Sequence, residues 1–184
     1  MDNIPGGKEL INSRALLEEA GLSQGMKVVD FGCGRRGHFT LQAASIIGLS
    51  GIVYAVDILK SVLENIKREA EIFGLDNIKT IWADLEVFGA TKIADSSVDF
   101  VMANNLFSQI KDHLSVLIEA KRILKNGGHL LITDWKKKAA PFGPSLNQRI
   151  DKEKVKEAAG ELGFKLEKEW EAGPYHWSLL FKKG

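Results

Sequence analysis

Residues 28–40 read VVDFGCGRRGHFT, an apolar run that stops at a carboxylate, enters a glycine-rich turn and resumes as a helical pattern. A buried strand, a tight glycine loop and a helix in this order form the nucleotide-binding corner of an open α/β sheet. Asp30 stands two residues before the first glycine, Gly32. A fixed negative charge at that point repels a pyrophosphate and suits a ligand that carries positive charge. The segment therefore predicts an α/β fold with a site for a cationic, nucleotide-like ligand.

The rest of the chain alternates buried strands with amphipathic helices in the same rhythm. The predicted strands cover 26–31, 52–56, 78–82, 98–103 and 129–133, and the predicted helices lie near 10–17 and over 39–47, 62–73, 114–123 and 149–162. Such alternation implies right-handed crossovers and a parallel sheet. Asn126-Gly127-Gly128 predicts a turn before the fifth strand, and the proline- and glycine-containing segment 136–147 predicts a loop that contacts substrate or acts as a lid.

The sequence pattern changes from residue 164 to the end of the given sequence. Apolar side chains fall at alternate positions on both sides of a Gly173-Pro174 turn, including Phe164 and Leu166 before it and Leu179 and Phe181 after it. This period of two predicts an antiparallel hairpin that completes the sheet.

Composition excludes several classes of protein. The chain has 184 residues, of which 45% are hydrophobic and 27% charged, and its formal net charge of +1 gives no long-range attraction for nucleic acid or an acidic membrane. One cysteine excludes an internal disulfide framework, and the four scattered histidines predict no metal site. Lys136, Lys137 and Lys138 are interpreted as solvated surface charge, with a local basic patch as the alternative.

The chain start lacks a basic flank followed by an apolar core, so we expect no signal peptide. No apolar run approaches the roughly 18 residues that cross a bilayer. The sequence therefore predicts a soluble, cytoplasmic protein that makes no membrane contact, folded as one domain over residues 1–184.

With these elements in place, the chain resembles class I S-adenosylmethionine-dependent methyltransferases over nearly its whole length. The resemblance rests on the glycine motif from Asp30 to Gly37, on acids after the second and third strands, and on the segment LKNGGHLLI at 124–132. It implies a Rossmann-like, doubly wound seven-stranded sheet, mostly parallel with an antiparallel C-terminal hairpin. It also implies S-adenosyl-L-methionine as cofactor.

One departure from the family motif concerns its last glycine. The usual loop is acid-x-Gly-x-Gly-x-Gly, whereas Arg35-Arg36 separates Gly34 from Gly37 here. The extra residue must bulge outward or shift the start of the helix, so Gly37 is a weaker candidate for cofactor contact than Gly32 or Gly34.

The resemblance assigns eight residues to the cofactor. They are Asp30, Gly32, Gly34, Asp57, Ile58, Asp84, Leu85 and Asn104. Asp30 would hold the methionine ammonium, the two glycines would let the backbone pass close under the ribose and methionine, and Asn104 would lie beside the methyl donor.

Asp57 follows the second strand, twenty residues after Gly37, where a carboxylate accepts bonds from ribose hydroxyls. Asp84 would accept the adenine amino group, with Leu85 and Ile58 packing on the ring. For each polar residue the alternative is a capping or turn-forming side chain. No catalytic base is identified among the four histidines or the carboxylates.

The function predicted from these residues is methyl transfer from S-adenosylmethionine to a small-molecule acceptor, with a nucleic acid or protein acceptor left open. Two alternatives remain at this point. An NAD(P)-dependent oxidoreductase shares the glycine spacing and the acid at Asp57, but Asp30 and Asp84 argue against it. A non-catalytic S-adenosylmethionine-binding module is favoured by the irregular loop and the missing base.

Overall fold

A computed structural model describes residues 10–184 of the chain. Residues 1–9, which include the start of the chain considered for a signal peptide, lie outside the described residues. The elements follow in the order α1 (Ser13–Glu19), β1 (Lys27–Phe31), α2 (His38–Ile47), β2 (Ile52–Asp57), α3 (Lys60–Phe73), β3 (Ile78–Trp82), β4 (Val98–Asn104), α4 (His113–Ile123), β5 (Leu124–Trp135), α5 (Lys152–Glu161), β6 (Phe164–Gly173) and β7 (His176–Lys183).

The strands form one seven-stranded sheet in the order β3-β2-β1-β4-β5-β7-β6. Neighbouring strands among β1 to β5 are parallel, whereas β7 runs antiparallel to both β5 and β6. The predicted Rossmann-like sheet with an antiparallel C-terminal hairpin is therefore confirmed. Within residues 10–184, no helix combines the length and apolar character that a bilayer span requires.

Helices cover both faces of the sheet because alternate strand residues point to opposite sides. On one face, Val28, Val53 and Phe100 pack with residues of α1 and α2, and α3 packs on Ala55 of the same strand as Val53. On the other face, Val29 and Val101 pack with α4 and α5. The buried runs in β1 and β4 reflect this two-sided covering.

Several boundaries differ from the sequence prediction, and two of them have a clear structural cause. The fifth strand begins at Leu124, which pairs with Val98, and the next residue paired with β4 is His129 opposite Phe100. The predicted Asn126-Gly127-Gly128 turn is therefore a bulge inside β5, with Gly127 at φ +78°. The last helix begins at Lys152 because Asp151 caps it, accepting a hydrogen bond from the Glu153 backbone N–H.

The position of the site follows from the strand order. From β1 the chain adds β2 and β3 on one side of the sheet and then returns to add β4 on the other side of β1. The crevice beyond the carboxyl ends of two such strands is where open α/β sheets bind ligands. The register places Phe31 opposite Ala103, so Gly32 and Asn104 follow at the same level.

Candidate cofactor site

The glycine loop leaves β1 in a conformation that side chains disfavour. Gly32 has φ +71° and Gly34 has φ +66°. A Cβ on Gly32 would lie 2.9 Å from Cδ1 of Leu106, which follows β4. Glycine at position 32 therefore keeps the loop close to the β4 end and leaves the backbone exposed toward the crevice.

Arg35 and Arg36 are both exposed. Gly37 is the N-cap of α2 in the left-handed conformation, and its N–H donates to the Gly34 carbonyl at 3.1 Å. A Cβ on Gly37 would overlap Cδ1 of Ile66 in α3. Gly37 therefore packs against α3.

Asp57 ends β2 and holds the glycine loop in place. One carboxylate oxygen accepts a hydrogen bond from the Gly34 N–H at 3.2 Å, and the other accepts from the Leu59 N–H at 2.9 Å. Its side chain is mostly buried, with the residue 8% exposed. The neighbouring Cys33 is also buried, and burial together with the charge of Asp30 raises the pKa of its thiol, which keeps it protonated.

A cavity of about 520 Å³ opens at the carboxyl ends of β1, β2, β3 and β4; we call it the cofactor cavity. Six of the eight residues assigned from the sequence line it, namely Gly32, Gly34, Asp57, Ile58, Asp84 and Leu85. No motif in the sequence marks the other lining residues as site residues; they are Arg35, Leu59, Ser61, Val62, Ala83, Glu86, Leu106, Gln109 and Ile110. Their positions depend on how the strand ends meet, for which the local sequence has no signal.

Asp30 and Asn104 are not among the described residues that line this cavity. Asp30 is 1% exposed and accepts a hydrogen bond of 2.6 Å from the Thr40 hydroxyl of α2. Its burial raises the pKa of the carboxyl to about 7. The buried Asn104 amide has no hydrogen-bond partner within residues 10–184. The assignment of all eight residues to the cofactor stays a prediction.

The charges that line the cofactor cavity favour a ligand with hydroxyls and positive charge. Three acids, Asp57, Asp84 and Glu86, contribute to the lining against one guanidinium, that of Arg35. The backbone N–H groups of Asp112 and Lys111 donate to Glu86 and lower the pKa of its carboxyl, so it stays charged. A pyrophosphate would meet repulsion here, whereas ribose hydroxyls and an ammonium would meet acceptors.

Two further cavities adjoin the cofactor cavity. One of about 500 Å³ is lined by Asn105, Ser108, Gln109, Trp135, Pro144 and Gln148. The other, of about 620 Å³, lies between the segment after β4 and α5; we call it the α5 cavity. Gln109 lines all three cavities. The segment 136–147 is an irregular loop, as predicted, and its Pro144 helps to close the second cavity.

Comparisons with known proteins agree with this geometry. A family model described as a methyltransferase domain matches residues 22–172. A solved structure of a SAM-dependent methyltransferase from Aquifex aeolicus superposes with a TM-score of 0.86 at 26% identity, covering 94% of this chain and 90% of that one.

Two curated relatives are similar over part of their length. An arsenite methyltransferase of Aquipseudomonas alcaligenes is 33% identical over 61% of this chain and 34% of its own length. A probable cobalt-precorrin-6B C(15)-methyltransferase (decarboxylating) of Sulfurisphaera tokodaii is 32% identical over 72% of this chain and 65% of its own. The chain thus spans less than two thirds of either relative.

Proposed function

Because the chain belongs to the class I S-adenosylmethionine-dependent methyltransferase family, we propose that it transfers a methyl group from S-adenosylmethionine to a small-molecule acceptor. The observation that supports this best is the cofactor cavity, where the glycine loop meets carboxylates from the ends of successive strands. Arsenite and cobalt-precorrin-6B, the acceptors in the relatives' names, support a small molecule. The proposal takes residues 1–184 as one methyltransferase-like domain.

The residues present fit this cofactor. Asp57 lines the cofactor cavity with a carboxylate that can accept bonds from ribose hydroxyls, and Asp84, in the same lining, can accept from the adenine amino group. The mostly exposed Ile58 and the buried Leu85 offer apolar surface for the adenine ring. Gly32 lines the cofactor cavity with its backbone alone, since it has no side chain. Asp30 is the proposed partner of the methionine ammonium, and the backbone of Asn104 is proposed to contact the methionine part of the cofactor.

When bound, S-adenosylmethionine supplies a methyl group on a positively charged sulfonium. The chain contributes by holding the acceptor in line with that methyl group, and such positioning accounts for roughly 7–11 kcal/mol in favourable intramolecular models. An acceptor with a free lone pair needs no protein base. His113, which lines the α5 cavity, already engages the Phe107 carbonyl oxygen through Nε2 at 2.8 Å.

Calorimetry with S-adenosylhomocysteine and with NAD tests the cofactor. We expect S-adenosylhomocysteine to bind and NAD to show no heat of binding, because the acids of the cofactor cavity repel a pyrophosphate. Binding of NAD alone would instead support the oxidoreductase. Release of S-adenosylhomocysteine across a panel of small-molecule, protein and RNA acceptors then separates a methyltransferase from a non-catalytic binding module.

The raised pKa of Asp30 makes cofactor affinity depend on pH. The carboxyl titrates at about 7, so its charged fraction rises about tenfold between pH 6 and pH 8. A ligand ammonium favours the charged carboxylate, and binding therefore releases a proton. We expect the affinity for S-adenosylhomocysteine to rise by up to about tenfold over that interval in calorimetric titrations.

The Asp30→Asn variant is the control for this pH dependence. It keeps the shape of the side chain and can still accept a hydrogen bond from the Thr40 hydroxyl, but it does not titrate. Its affinity should change little between pH 6 and pH 8. An equal slope in both proteins would remove Asp30 from the cofactor site.

A further inference from the structure

The α5 cavity has an apolar floor. Its volume is about 620 Å³, enough for a small organic molecule. The apolar lining residues come from the segment after β4, from α4, and from α5 with the residues before it. They are Phe107, Ile110, Leu117, Ile150, Val155 and Ala158. A floor of this kind binds a hydrocarbon or aromatic body through burial of apolar surface.

The charged residues around the same cavity are mostly basic. Four of them are basic (Lys111, Lys137, Arg149 and Lys154) and one is acidic (Asp151). The whole chain has 25 basic and 24 acidic residues. The cavity therefore has an excess of positive charge that the overall composition does not show.

Two of these five charged groups, those of Arg149 and Asp151, are already hydrogen-bonded, and a third, Lys111, acts electrostatically on a nearby carboxylate. The Arg149 guanidinium donates to the carbonyl oxygens of Pro144 at 2.9 Å and Lys136 at 3.0 Å. Asp151 accepts from the Glu153 N–H at 3.1 Å as the cap of α5. Lys111 lies next to the charged Glu86, whose carboxylate its backbone N–H contacts at 2.9 Å.

The remaining charged groups of the α5 cavity are the ammonium groups of Lys137 and Lys154. Both are exposed, and no ion pair or hydrogen bond engages either side-chain ammonium within residues 10–184. Lys137 belongs to the three-lysine run, in which Lys136 pairs with Glu171 and Lys138 lies 5.1 Å over the ring of Tyr175. Lys137 is the member of the run that lines the α5 cavity.

The α5 cavity and the cofactor cavity share two lining residues, Gln109 and Ile110. A molecule on the apolar floor would therefore lie next to the space assigned to the cofactor. This proximity makes the α5 cavity a candidate binding site for the methyl acceptor.

We propose that the α5 cavity binds the methyl acceptor, and that this acceptor carries an anionic group, a carboxylate or a phosphate, on an apolar body. The apolar body packs on the floor while Lys137 and Lys154 pair with the anion at the rim. This inference rests on the proposed function, because it assigns the acceptor of that same site.

Binding of matched probes tests the proposal. The probes are naphthalene carboxylate, naphthyl phosphate and the neutral naphthalene carboxamide, titrated by fluorescence at low salt with S-adenosylhomocysteine at saturation. We expect at least one anionic probe to bind about tenfold more tightly than the carboxamide, since two lysine contacts contribute. A preference between carboxylate and phosphate identifies the source of the anionic group.

Charge-removing variants provide the control. Lys137→Gln/Lys154→Gln should lower the affinity for the anionic probes about tenfold and leave that for the carboxamide unchanged. Lys79→Gln/Lys165→Gln removes the same charge from exposed lysines outside the three cavities and should change neither.

Three outcomes would overturn the proposal. They are equal affinity for charged and neutral probes, an equal effect of both double variants, and binding of an oligoribonucleotide in place of the probes. In each case S-adenosylhomocysteine should still bind, and its binding is measured in the same samples. Loss of that binding in the unmodified protein would instead contradict the proposed function.

Discussion

Replacing Asp57 with alanine should weaken binding of S-adenosylhomocysteine by about 1–3 kcal/mol, because charged hydrogen bonds to the ribose are lost. The structure adds a second reason. The same carboxylate accepts from the Gly34 and Leu59 N–H groups, so its removal also loosens the loop that borders the cofactor cavity. Calorimetric titration of the variant measures the loss as a change in Kd.

The matched control for this prediction is Asp76→Ala. Asp76 is an exposed carboxylate in the turn before β3 and lies outside the lining of the cofactor cavity. Its removal gives the same change in net charge and should leave the affinity unchanged. Thermal unfolding of both variants checks that the fold persists. An Asp57→Ala protein that binds S-adenosylhomocysteine as the parent does would exclude Asp57 from the site.

A second large effect is expected at Gly37, this time on stability. Alanine at this position would have to adopt φ +56° and place its Cβ against Ile66, which is fully buried. The left-handed conformation costs about 1 kcal/mol for alanine, and overpacking of a core adds about 1–3 kcal/mol. We expect the free energy of unfolding, measured with urea, to fall by about 2–4 kcal/mol in Gly37→Ala.

Gly74→Ala separates these two contributions. Gly74 caps α3 in the same left-handed conformation, at φ +64°, but an added Cβ there would meet nothing within 4 Å. Its replacement should cost only about 1 kcal/mol. In Gly37→Ala/Ile66→Val the overlapping methyl group is absent, so part of the loss should be recovered. Equal losses in Gly37→Ala and Gly74→Ala would show that packing against Ile66 contributes nothing.

The sequence could predict that the residues of the candidate site lie together, because their positions depend only on where the strands end. Asp57 ends β2 and Asp84 follows β3, and parallel strands place their carboxyl ends at one edge of the sheet. The hydrophobic pattern located those strands to within a residue at most ends. It can therefore be predicted that residues following different strands lie at one cavity, whatever their side chains are.

Other features of the site could not be predicted from the neighbouring sequence. The sequence did not distinguish Lys137 from its neighbours, since all three lysines are polar residues in one loop. Their surroundings differ because Arg149 binds the carbonyl oxygens of Lys136 and Lys138 and so fixes the path of the loop. Gln109 likewise has no motif, yet the meeting of three cavities at that side chain makes it a candidate for contact with both ligands.

The sequence by itself determined the class of fold, the order of its elements and the sign of the charge around the cofactor, because hydrophobic period and glycine position act over a few neighbouring residues. Only the tertiary structure decided how deeply Asp30 is buried, where Gly37 packs and which lysine faces the α5 cavity. These properties depend on burial and on distances between residues far apart along the chain, which exist only once the helices have packed on the sheet.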